Sequence, residues 1–135
     1  MKQKTWQFDP PRPKSPRVNS EYKSLLLSQV EGFLDWELKP RTINPPPSSL
    51  EFNYIVDLFG KWHGRYLYFC SKYASPGPYA ISPFFDSPFA RLEYVAENCF
   101  NISYCRHNGQ WVQLDSMLSF TDCLSTILGE PLLLP

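Results

Sequence analysis

The stretch FARLEYVAENCFNISYCRHNGQWVQL, Phe89 to Leu114, decides the fold. It is broken at Glu97-Asn98 and at Asn108-Gly109. Between the breaks, aromatic and β-branched residues suited to a pleated surface dominate. Phe89–Ala96, Phe100–His107 and Gln110–Leu114 therefore read as three strands. Asn-Gly is the strongest short hairpin signal, because both residues tolerate positive φ. Strands joined by such short turns pair antiparallel. A two-residue loop at Asn108-Gly109 would set Arg106 opposite Trp111, where the guanidinium can stack on the indole.

Working towards the N-terminus, residues 74–88 carry Pro76, Gly77, Pro78, Pro83 and Pro88 and read as a long loop. Before it, Arg65–Tyr73 reads as a strand. Leu50–Phe59 alternates, with Leu50, Phe52, Tyr54, Val56 and Leu58 on one face. Glu51, Asn53 and Asp57 take the other, together with Ile55 and Phe59. Gly60 and Gly64 are expected to bracket the turn between these two strands.

Helical spacing appears at both ends. Tyr22, Leu26, Val30, Phe33 and Leu34 form one stripe of a helix capped by Asn19 or Ser20. Pro40 is expected to end it, and Pro45, Pro46 and Pro47 stiffen the connector over residues 40–49. Near the C-terminus, Ser119 caps a helix with Asp122 in its first turn. Phe120, Cys123, Leu124, Ile127 and Leu128 repeat with helical period, and Gly129 and Pro131 stop the run. Residues 1–18 hold four prolines and five basic residues and read as an extended, Pro-rich basic arm.

The expected fold is α+β: an antiparallel sheet of about five strands, a hairpin plus a three-strand meander. An N-terminal and a C-terminal helix pack on one face, leaving the other at least partly open. Residues 19–135 form this single domain. At 135 residues the chain can bury a core without staples.

Lys plus Arg equals Asp plus Glu, at 13 each, which argues against a surface built throughout to seek polyanions. The four cysteines, Cys70, Cys99, Cys105 and Cys123, lack the C-x-x-C spacing of zinc or redox sites. They read as small buried side chains. No run of sequence is long and apolar enough for a membrane span, so a cytoplasmic protein with no membrane partner is expected. No cofactor is expected: there is no phosphate-cradling glycine loop and no G-x-S-x-G elbow. No metal is expected either, because Glu51, Asn53 and Asp57 read as the solvent face of a strand.

Three stretches, W-H-G-R-Y-L-Y-F (Trp62–Phe69), S-P-F-A-R-L-E-Y-V (Ser87–Val95) and R-H-N-G-Q-W (Arg106–Trp111), resemble small bacterial proteins of an uncharacterised family. That resemblance implies no activity.

Three functions compete. The leading one is a non-enzymatic binding or protein-interaction module, most simply a homodimer, using the aromatic residues Tyr79, Phe84, Phe85 and Phe89 of the Pro-rich loop and the N-terminal arm with its Trp6 and Phe8. The second is single-stranded nucleic-acid binding on the open face through Lys61, Trp62, Arg65, Tyr66, Arg91, Arg106 and Trp111. The third is a small hydrolase or nuclease using His63 and His107 with Arg65 or Arg106, which requires both turns to meet in one cleft.

Overall fold

The computed structural model describes residues 16–48 and 52–135. Helix α1 (Ser20–Phe33) runs through a π-helical turn (Leu34–Leu38) into a short α2 (Lys39–Thr42). Strands β1 (Tyr54–His63), β2 (Tyr66–Ala74), β3 (Phe84–Ala96), β4 (Cys99–Cys105) and β5 (Trp111–Leu118) follow. Helix α3 (Phe120–Gly129) and a 3-10 turn (Pro131–Leu133) close the chain. The sheet is a five-stranded meander in sequence order, antiparallel throughout. This is the α+β architecture expected from the sequence. Most of the arm expected over residues 1–18, and Leu50 and Glu51 of the first strand, lie outside the described residues.

One core joins both helices to one face of the sheet. Leu26, Val30, Leu34 and Leu38 from the helical run meet Leu58, Leu67, Phe69, Leu92, Phe100 and Ile102 from the strands. Phe120, Cys123 and Ile127 of α3 complete it. Each fully buried Phe or Leu among them contributes roughly 1.5–3 kcal/mol over leaving it exposed.

Pro40 does not end the first helix. In a regular α-helix its ring would strike the carbonyl four residues back. The π turn widens the helix there, and the Lys39 N–H reaches back to the Leu34 carbonyl. The extra turn brings Lys39 between Asp35 (2.7 Å) and Asp57 of β1 (3.1 Å). Its hydrogen bond to Asp35, aided by Asp57, raises the Lys39 pKa despite partial desolvation.

Gly60 is not a turn residue. It lies within β1, opposite Phe69, and the chain turns instead at Gly64-Arg65, where Gly64 has φ +59°. A Cβ at Gly60 would come within 2.8 Å of Val30 Cγ1, so this glycine lets α1 approach the strand closely. A bulge at Val56 also resets the faces of β1, putting Ile55 on the core side with Leu58 rather than opposite it. Strand β3 begins at Phe84, not Phe89, so the β2–β3 loop is only residues 75–83 and Phe89 belongs to the core. Pro88, which cannot donate to a ladder, sits beside the bulge at Phe89, outside the segment paired with β4. Strand β5 extends to Leu118, beyond the expected Leu114, by way of bulges and a positive φ of 58° at Met117.

The β3–β4 turn ties the layers together. Asn98, at φ +51°, donates its N–H to the Tyr22 hydroxyl of α1 (2.9 Å). Its side-chain oxygen accepts the Phe120 N–H at the start of α3 (2.9 Å). Ser119 caps the same helix by accepting from the Asp122 N–H (3.1 Å). Asn98→Ala should lose about 2 kcal/mol in urea unfolding, from the lost cap and the strained left-handed backbone. Asn98→Gly, which keeps the backbone freedom, should lose about half of that. Equal losses would mean that the left-handed backbone costs Ala nothing here.

Candidate functional site

The face of the sheet turned away from the helices carries side chains from all five strands. The register places Lys61 opposite Tyr68, Tyr68 opposite Arg91, and Arg91 opposite Ser103. His63, Tyr66, Glu93 and Asn101 form the next row. No described element covers these rows.

Arg91 is the centre of this face. Its guanidinium carbon lies 4.5 Å from the Tyr66 ring centroid and 4.7 Å from that of Trp111. Trp111 comes from β5, beyond β4, where it lies opposite Cys105. It also meets Tyr68 edge-on at 5.7 Å. Contact with two rings restrains the guanidinium while its terminal N–H groups make no hydrogen bond among the described residues.

The neighbouring carboxylate is engaged elsewhere. Glu93 accepts from Arg65 (3.0 Å), the Tyr66 hydroxyl (3.4 Å) and Asn101 (3.1 Å). Arg65 in turn bonds the Tyr66 hydroxyl at 3.2 Å, and this bond, with Glu93, raises its pKa. Among the described residues neither Arg91 nor Lys61 has an ion-pair partner, and the buried Arg91 Nε has no hydrogen-bond partner. Lys61 and Arg91 thus offer cationic groups on this face that no carboxylate pairs among the described residues, although Asp86 stands near Lys61. Beside them, Lys61, His63, Tyr68, Cys70, Asp86 and Pro88 line a groove of about 280 Å³.

The other expected site residues fall into separate places. Trp62 points to the helix side, where its indole N–H donates to the Lys23 carbonyl (3.0 Å) and Lys23 lies over its ring. Arg106 does not oppose Trp111; Cys105 does. The Arg106 N–H bonds the Gln110 carbonyl and the Gly109 N–H bonds the Arg106 carbonyl, with Gly109 at φ +84°. This is a three-residue loop with a bulge rather than the expected two-residue one, and it leaves Trp111 to Arg91.

His63 and His107 are not brought together. The β1–β2 and β3–β4 turns lie at one end of the meander, and the β4–β5 turn lies at the other. His63 sits in the row of Asn101, and from Asn101 to His107 the chain runs on the order of 20 Å along β4, with three strand spacings to cross as well. A shared acid–base cleft is out of reach for this pair. Among the described residues no group of three or more His, Cys, Asp or Glu side chains could hold a metal ion.

Tyr79, Phe84 and Phe85 belong to the β2–β3 hairpin. Beyond Ala90 this hairpin outruns β4, so among the described residues the β4-side edge of β3 has no strand partner from Phe84 to Phe89. Tyr79 and Ile81 at the tip are fully exposed, and Phe84 and Phe85 remain 47% and 41% exposed. Phe85 stacks flat on Tyr73 at 5.0 Å, and Lys72 covers one side of Phe84 at 4.8 Å. Beside the hairpin runs a groove of about 610 Å³ between Ser87, Phe89, His107, Trp111 and the C-terminal Leu132 and Leu134. Sequence reasoning passed over Ile81 and Ser103. Only Ile81 carried a signal, as an apolar residue between prolines.

A profile of a domain of unknown function, DUF3024, matches residues 17–132. The chain belongs to the DUF3024 family. That match covers both helices and the whole sheet, so the two surfaces described above belong to the DUF3024 domain itself. No curated protein matches the chain, and no solved structure does. No helix among the described residues is long and apolar enough to cross a membrane.

Proposed function

We propose that this DUF3024 domain is a non-enzymatic protein-interaction module whose docking element is the β2–β3 hairpin, and that its simplest partner is a second copy of the chain. The observation that carries this reading is the outward position of Tyr79, Ile81, Phe84 and Phe85 on a hairpin that projects past its neighbouring strand. Solvent-exposed apolar side chains gathered on one projecting element mark an interaction surface. Large aromatic groups of this kind dominate the centres of interfaces. The near-neutral chain offers little charge repulsion between copies. The outer edges of the sheet are poorer docking sites. On β1 the Gly60 N–H donates to Glu31, and β5 is bulged and capped by its own Asp115. The four free thiols support a reducing, cytoplasmic setting.

Sedimentation equilibrium is the test. The full chain should show a reversible dimer, and Tyr79→Ser combined with Ile81→Ser should weaken it at least about tenfold, or 1.4 kcal/mol. Both side chains are exposed, so the double variant should unfold at the same urea concentration. A strictly monomeric mass up to about 100 µM, or a dimer indifferent to the two changes, would sink the reading.

A further inference from the structure

We infer that the open face holds a short segment of single-stranded nucleic acid, with its bases against Tyr68 and its phosphates on Lys61 and Arg91. This does not rest on the self-association reading, which concerns the hairpin tip. Two features converge here. Lys61 and Arg91, neither of which has an ion-pair partner among the described residues, flank one ring, since both lie opposite Tyr68 in the register. An anion is the complementary partner. Arg91 contacts the rings of both Tyr66 and Trp111, and a guanidinium positioned by two rings suits the two oxygens of a phosphate better than a mobile ammonium does.

The groove beside Tyr68 supplies the place for a base. It is lined by Tyr68, the buried Cys70, Pro88, Lys61, His63 and Asp86. An aromatic wall accepts any base by stacking, and Asp86 can accept a hydrogen bond from an exocyclic amine. Duplex fits poorly, because its stacked bases present no face to Tyr68. A chain of zero net charge gives little long-range attraction, so binding should be weak and local, with few phosphates neutralised.

The test is fluorescence anisotropy of an end-labelled single-stranded oligothymidine of about ten nucleotides, titrated with the full chain at several salt concentrations. Two phosphate contacts predict a slope of log affinity against log salt of about −1.4, at about 0.7 for each phosphate on a single strand. Lys61→Ala, an exposed change, should reduce that slope by about half. Tyr68→Ala should weaken binding about tenfold, while Tyr68→Phe should leave it unchanged because stacking needs no hydroxyl. The inference is overturned if no saturable binding appears at about 20 mM salt. It is equally overturned if a duplex of the same length binds as well, or if Lys61→Ala and Tyr68→Ala leave binding untouched. Because the sedimentation test reads Tyr79 and Ile81 and this one reads Lys61 and Tyr68, the failure of one leaves the other standing.

Discussion

Gly60→Val should destabilise the domain by about 3 kcal/mol, the upper end of the cost of overpacking a well-filled interior. Gly60 faces α1 from the middle of β1, and even a single added carbon would meet Val30 Cγ1 at 2.8 Å and Leu27 Cδ1 at 3.2 Å. Val30 cannot yield, since it is fully buried among Leu26, Leu34 and Leu58. The two extra methyl groups of valine must therefore push the helix away from the sheet. That would also break the hydrogen bond from the Gly60 N–H to Glu31 (3.2 Å) and stretch the one from Trp62 to the Lys23 carbonyl. Gly60→Ala should cost less, roughly 1–2 kcal/mol, because one methyl can be absorbed by a small tilt of α1. Urea denaturation of the three proteins checks the series. A Gly60→Val protein as stable as the parent would show that the helix–sheet spacing is not set at this glycine. The side chains of the open face point the other way, so folded Gly60 variants should keep whatever binding that face has.

Much of the fold was legible because local signals and global packing agree. Ser119, Asp122 and Gly129 mark the bounds of α3 before any packing is considered. The turns at Glu97-Asn98 and Asn108-Gly109 fix a meander, and sequence order then became spatial order. What was not legible is the insertion of single residues. A bulge at Val56 or Phe89 reverses every face assignment beyond it, and nothing in the composition of those residues announces it. The candidate site suffered in the same way. Tyr66, Arg91 and Trp111 stood out as aromatic and basic strand residues, but one extra loop residue after Arg106 transferred Trp111 from Arg106 to Arg91. Trp62 shows the opposite failure. It carries the same residue type as Trp111, yet its strand parity places it against α1. Pro40 misled for a different reason, since the rule that it stops a helix assumes an α geometry that the π turn avoids.

Stability should fall steeply at alkaline pH, and the cause lies in two thiols. Cys70 and Cys123 are almost wholly buried. Burial pushes the Cys70 thiol up to about 11, and burial aided by Asp122 pushes Cys123 up to about 12. In the unfolded chain both ionise near 9.0. The folded state thus holds its protons where the unfolded state releases them. The contribution is complete below pH 9 and is lost as pH rises towards the folded values. Between pH 8 and pH 10 each thiol should remove about 1.4 kcal/mol, close to 3 kcal/mol together. Urea midpoints at pH 8, 9 and 10 measure the loss. Cys70→Ala combined with Cys123→Ala should flatten the curve over that range, even though the cavities it leaves lower stability at every pH. An equally steep fall in the double variant would assign the loss to other groups. The same burial predicts the pattern of thiol labelling at pH 8. Cys99 and Cys105 are partly exposed and should react in the folded protein, whereas Cys70 and Cys123 should react only as fast as the chain opens. Cys70 also lines the groove beside Tyr68, where the same burial should keep its thiol unreactive.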